Sequence, residues 1–205
     1  MEDIGLPNIK VKKCDLASFA SVREFCRQVC KEERKIDILI NNAGMFSTQR
    51  TLTDDGQETV FQVNHLGHFL LTNLLLDKMK AAKAARIINV SSVGHWYKFN
   101  CSHQIRTCIF RAVLRFPFDD PTFAKSWFYN GMSVYAITKL ANILFTLELS
   151  KRLKGKTDQR NVLSYIGRFY SGSNIQVFSL HPGGVNTDLG RNAKGQWERM
   201  TTKII

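Results

Sequence analysis

The chain has 205 residues, 44% of them hydrophobic and 22% charged, with a net charge of +12. That length supports one domain with a real core, and the balance is ordinary for a globular chain. No apolar run is long enough to span a bilayer, since the best, "HFLLTNLLL", is broken by Thr72 and Asn73, and "MEDIGLPNIK" lacks the form of a signal peptide.

In chain order, "NIKVKKC" (8–14) alternates apolar and polar residues and predicts a strand. "SFASVREFCRQVCKE" sets Phe19, Val22, Phe25, Cys26, Val29 and Cys30 at helical spacing. "IDILI" (36–40) is a short apolar run, as expected of a strand buried on both faces. From about Asp54 to Met79 a long helix is predicted, with Val60, Val63, Gly67, Leu70, Leu71, Leu74 and Leu75 on one stripe. "RIINV" is another buried strand, Ser133–Leu153 another helix and "IQVFSL" a final strand. Strands alternating with helices predict a parallel sheet wrapped by helices, joined by right-handed crossovers. Ligands in such sheets bind beyond the carboxyl ends of the strands.

Those ends carry chemically useful residues. Asp15 follows the first strand and can either hydrogen-bond a sugar or an adenine amine, or cap a helix. Asn41-Asn42-Ala43-Gly44 follows the second; Ala43 and Gly44 leave room for a flat ligand, and the same residues also make an ordinary turn. Ser91 and Ser92 follow the third and offer hydroxyls to a carbonyl. "HPGGVNT" follows the fourth, with a stiff Pro182, permissive Gly183 and Gly184, and the Thr187 hydroxyl.

Tyr135 and Lys139 stand four apart in "SVYAITKLANILF", neighbours on one helix face. An amine beside a phenol favours the phenolate, and a phenol so tuned can exchange a proton with an alcohol or carbonyl oxygen. A plain surface pair has the same spacing. The five cysteines form no CxxC pair and no metal-ligand spacing, and read as reduced thiols facing the cytosol. Eight of the twelve net positive charges fall in 93–130 and 151–174, the least regular parts of the chain, which argues against a nucleic-acid groove.

In order, "NNAG", "VNHLGHF", "NVSS", "YAITK" and "HPGGVNT" resemble the motifs of the short-chain dehydrogenases/reductases. "DGQETVFQVNHLGHFLLTNLLL", "KLANILFTLELSKRL" and "SLHPGGVNTDL" are similar to the retinol dehydrogenase branch in particular. The resemblance covers roughly residues 8–100 and 126–192. It implies a Rossmann-type doubly wound α/β sheet and an NAD(P)-dependent oxidoreductase. Such an enzyme moves a hydride between nicotinamide, NADP slightly before NAD, and a small apolar alcohol or aldehyde, retinol-like or another apolar carbonyl. It implies Tyr135 as general acid/base. Lys139 would depress the Tyr135 pKa and hold the nicotinamide ribose, Ser92 would orient the reacting oxygen, and Asn64 would hold a water relaying protons to Lys139. Asp15 and Leu16 would meet the adenine; Asn41, Ala43 and Gly44 would line the cofactor; Pro182, Gly183, Val185 and Thr187 would cover the nicotinamide. A homodimer and a cytoplasmic setting are expected, with full-length relatives often at the endoplasmic reticulum membrane.

The chain also departs from that pattern. It contains no glycine-rich G-x-x-x-G-x-G turn, so residues 1–205 are expected to form a single partial domain lacking the family's first two strands and phosphate cradle. The stretches near 97–120 and 156–174 read as irregular inserts, and "TTKII" precedes the expected substrate-binding helices. The alternative expectation is a catalytically inactive truncated form of such an enzyme.

Overall fold

The computed structural model describes residues 9–92, 120, 129–154, 167–169 and 174–183. Its elements are α1 (Phe19–Glu32), β1 (Ile38–Asn41), α2 (Thr59–Phe61), a π-turn (Gln62–Leu66), α3 (Gly67–Lys80) and β2 (Ala85–Val90), then α4 (Gly131–Lys154), β3 (Gly167–Phe169) and β4 (Ile175–Leu180). One sheet forms in the order β1-β2-β4-β3, with β1, β2 and β4 parallel and β3 antiparallel to β4.

The ends of the helices are set by local chemistry. Ser18 caps α1, its side chain accepting from Ser21 N at 3.2 Å. The long helix begins at Thr59 rather than near Asp54, because residues 53–57 form a turn around Gly56 (φ 74°) and Glu58 caps α2. The buried Glu58 carboxylate accepts from Val60 N at 3.1 Å and Phe61 N at 2.6 Å. Asp55 accepts from Phe19 N at 2.8 Å and from Gln62 Nε2 at 2.7 Å, tying α1 to the π-turn. Within the π-turn the Gly67 N–H reaches back to the Gln62 carbonyl.

Register separates the two faces of the sheet. Leu39, Ile87 and Val177 stand in one row and Ala85 and Ile175 in the next, and all pack with Met79, Leu149 and Leu153 of α3 and α4. Val22 and Cys26 of α1 close the same side through Leu16, Leu71 and Leu75. Ile40, Ile88 and Phe178 face the other way. Ile38 and Ile40 are 52% and 58% exposed, so β1 is not buried on both faces as its apolar run predicts. Among the described residues, the core-forming contacts of α1, α3 and α4 are to one face only.

Residues 9–14 of "NIKVKKC" form no strand. A strand exists through its ladder, and no strand lies beside this one among the described residues; Lys10 and Lys12 instead pair with Glu33 and Glu32 at 3.5 and 2.7 Å. Leu74, placed on the buried stripe, is 36% exposed. Of the insert-like 156–174, residues 167–169 form β3 on β4, while 97–119 lie outside the described residues. Finally, Gly131–Leu153 is long and apolar enough to cross a membrane by length and composition, although no uninterrupted apolar run marks it in the sequence. Here it packs on β2 and β4 as the helix carrying Tyr135 and Lys139.

Candidate active site

The carboxyl ends of β1 and β2 are locked together by amides. Asn41 pairs with Asn89 across the register, and Asn41 Nδ2 donates to Asn89 Oδ1 at 2.8 Å and to Thr72 Oγ1 at 2.9 Å. Asn89 Nδ2 donates on to Thr146 Oγ1 of α4 at 2.9 Å. Asn41 is therefore a brace between sheet and helices. Its Oδ1 is buried without a hydrogen-bond partner among the described residues.

At the end of β2 the two serines divide their roles. Ser91 is buried and donates to the Lys139 carbonyl at 2.9 Å, fixing α4 to the sheet. Ser92, the next residue, hydrogen-bonds the Tyr135 phenol. Tyr135 and Lys139 are both 4% exposed, which removes the reading of a plain surface pair. Phe46, from the segment after β1, stacks edge-on against the Tyr135 ring at 5.8 Å.

The Lys139 ammonium lies 5.5 Å from the Tyr135 ring centroid and donates to the Val90 carbonyl at 3.2 Å. Burial lowers its pKa from 10.5 to about 8. Tyr135 moves opposite to the expectation from spacing: burial raises its pKa, and the Ser92 hydrogen bond only partly opposes that. Desolvation is the larger of the two influences on the phenol.

Asn64 lies in the π-turn, fully buried. Its Oδ1 accepts from Met45 N at 2.7 Å; its Nδ2 donates to Met45 O at 2.9 Å and to Thr138 Oγ1 at 3.2 Å. Gly44 stands beside it, where a Cβ would lie 3.2 Å from Asn64 Oδ1 and 3.6 Å from Lys139 Nζ. The wall next to the ammonium is thus kept free of a side chain. Asn64, Gly44, Ser92, Tyr135 and Lys139 are brought together. Ala43, next to Gly44, is exposed on the same loop.

Of the remaining candidates, Pro182 and Gly183 follow Leu180, whose carbonyl accepts from Ser91 N at 2.7 Å. Asp15 is exposed and its Oδ1 accepts from Ala17 N at 2.9 Å, the capping alternative, while the Leu16 side chain is in the core. Pro182 and Gly183 are exposed just past β4, with Gly183 at φ 84° and its N–H on His181 Nδ1 at 3.1 Å. Val185 and Thr187 lie outside the described residues.

Sequence reading missed the polar stripe of α4. Thr138, Asn142, Thr146 and Ser150 recur every fourth residue and are all buried. The signal for it was polar residues at helical spacing inside an otherwise apolar run. His68 was missed as well; it is buried, with its Nδ1 3.2 Å from the Asn64 carbonyl, and burial lowers its pKa to about 4.

The profile of the short chain dehydrogenase family matches residues 3–102. Human retinol dehydrogenase 13 is 41% identical over 185 residues, covering 90% of this chain and 46% of that protein. These matches support a short-chain dehydrogenase of the retinol dehydrogenase type. Human retinol dehydrogenase 14 is 42% identical over 92% of this chain and 46% of its own length. The chain thus spans about half the length of the curated relatives it matches. A crystal structure of an uncharacterised Mycobacterium paratuberculosis protein aligns at 33% identity and TM-score 0.61, over 89% of this chain and 53% of that one. NADPH-bound carbonyl reductase from chicken fatty liver has the same fold, with TM-score 0.56 at 22% identity over 90% of this chain and 61% of that one. The fold is Rossmann-type, with three parallel strands among the described residues.

The cluster fits the nicotinamide-ribose end of a dinucleotide: a buried amine, a phenol, a hydroxyl and a bare backbone stretch at Gly44 stand at one sheet edge. For the pyrophosphate, no glycine-rich G-x-x-x-G-x-G turn occurs in the 205 residues.

Proposed function

We propose that this chain carries the proton-transfer residues of an NAD(P)-dependent oxidoreductase that interconverts an apolar, retinol-like alcohol and its aldehyde. NADP is favoured over NAD. The observation that carries the reading is the Ser92–Tyr135 hydrogen bond with the buried Lys139 ammonium over the same ring. The nicotinamide, when bound, supplies the hydride chemistry. Tyr135 donates its phenolic proton to the oxygen of the aldehyde during reduction and takes it back during oxidation. Ser92 orients that oxygen by its own hydroxyl. Lys139, with a pKa of about 8, is mainly cationic at neutral pH and favours the phenolate once the phenol has given up its proton. Asn64 holds the Met45 backbone, so that the loop after β1 keeps its place beside Lys139. The relatives' names support the substrate class.

A second reading is favoured by the absence of a glycine-rich turn in the sequence: a chain that keeps these residues but does not hold the dinucleotide. NADPH titration monitored by protein fluorescence, with retinal reduction monitored by NADPH absorbance, separates the two. Binding and turnover, with turnover reduced about a hundredfold or more in Tyr135→Phe, supports the first. Absence of binding at millimolar NADPH sinks it in favour of the second. We further place the chain on the cytosolic side, and infer a homodimer using the exposed Phe69 (46%) and Leu144 (42%) of α3 and α4. Sedimentation of Phe69→Lys against the parent chain tests the dimer; equal masses refute it.

A further inference from the structure

Asn142 is buried at 3% exposure, one turn beyond Lys139 on α4, and none of the roles above involves it. Its side-chain amide meets three elements. Nδ2 donates to the Asn64 carbonyl of the π-turn at 3.1 Å and to the Val90 carbonyl at the end of β2 at 3.3 Å. Oδ1 faces His65 Nδ1 at 3.0 Å. Two carbonyls can only accept, so they fix which end of the amide is nitrogen. The oxygen must then face His65, which carries its proton on Nδ1. The His65 ring is itself packed among Phe61, Phe69 and Phe145, at centroid distances of 5.4, 6.4 and 6.2 Å.

These contacts converge on the candidate site. The Val90 carbonyl also accepts from Lys139 Nζ, and Val90 leads directly to Ser91 and Ser92. The Asn64 carbonyl belongs to the residue whose side chain holds Met45. A π-turn is a local departure from the α-helical bond pattern and persists where side chains meet the groups it rearranges. Asn142 and His68 both reach the Asn64 carbonyl.

We propose that Asn142, oriented by His65, is a positioning residue: its amide joins the π-turn carrying Asn64, the end of β2 leading to Ser92, and the helix carrying Tyr135 and Lys139. It touches no reacting atom. It holds the π-turn in the register that lets Asn64 grip Met45, and it shares the Val90 carbonyl with the Lys139 ammonium. Its catalytic meaning rests on the function proposed above. The test does not, so the two can fail separately.

Amide hydrogen exchange of the full chain reads the claim through the Met45 N–H, which donates to Asn64 Oδ1. In Asn142→Leu, near-isosteric but without donors, Met45 exchange accelerates about tenfold or more, while the ladder amides of β2 change less than about threefold. A residue that only adds global stability moves both sets together. His65→Phe keeps the ring packing and removes the Nδ1 donor; it accelerates Met45 exchange alone, by about threefold or more. This variant carries the test if Asn142→Leu does not fold. Unchanged Met45 exchange in the folded variants, or a loss in step with the β2 ladder, overturns the assignment.

Discussion

Replacing the buried amine should stabilise the protein. Lys139 is 4% exposed, and burial lowers its pKa from 10.5 to about 8. At about 1.4 kcal/mol per pH unit, that fall corresponds to about 3 kcal/mol against the folded state. The sign comes from proton binding. Below pH 8 both states carry the proton and the whole penalty applies; between 8 and 10.5 the unfolded state binds more protons, so stability rises with pH; above 10.5 the penalty is gone. Lys139→Met keeps the length of the chain and removes the charge. The Val90 carbonyl retains its hydrogen bond from Asn142, so no acceptor is orphaned. The variant should gain about 2–3 kcal/mol at pH 7, allowing for the lost ammonium–carbonyl bond. That moves the urea midpoint up by about 1 M. The gain should halve near pH 9 and nearly vanish by 10.5. Urea melts at these three pH values, read by tryptophan fluorescence, measure it. A variant less stable than the parent at pH 7, or a difference that does not shrink with pH, refutes the reasoning. The expected stabilisation has a functional reading: the site gives up stability to keep an amine beside a phenol.

His68 titrates in the acid range: its pKa falls from 6.5 to about 4, so the unfolded chain takes up a proton first and stability declines as pH drops through that window. His68→Gln should flatten the decline in urea melts between pH 6.5 and 4, and an unchanged slope counts against the burial argument. Gly131 opens α4 where a Cβ would run into the Ser47 carbonyl, with Thr48 Cα 3.1 Å away. Gly131→Ala should therefore cost about 1–3 kcal/mol despite better helix propensity, lowering the melting temperature by several degrees; a stabilised variant would show that the backbone yields freely. Burial pushes the Cys26 thiol up to about 12, so iodoacetamide at pH 8 should label it only after unfolding, as read by peptide mass mapping. Fast labelling in the folded chain contradicts its placement beside Val22 and Leu75.

The sequence by itself determined what is local. Helical spacing of Val22 and Cys26, the apolar runs of β2 and β4, and the positions of Ser92, Tyr135 and Lys139 along the chain were all legible, because side-chain period and residue chemistry are properties of neighbours. Tertiary structure decided what depends on distant partners. Residues 9–14 have a strand's alternation but no ladder, and 167–169 gained one only because β4 offers its edge. Thr138, Asn142 and Thr146 became a buried hydrogen-bonded stripe because Asn64 and Asn89 face them from other elements. Spacing predicted a lowered Tyr135 pKa from the amine four residues on, yet the folded chain raises it. The sign of that shift rests on the water removed, which is set by the packing of α4 against the sheet.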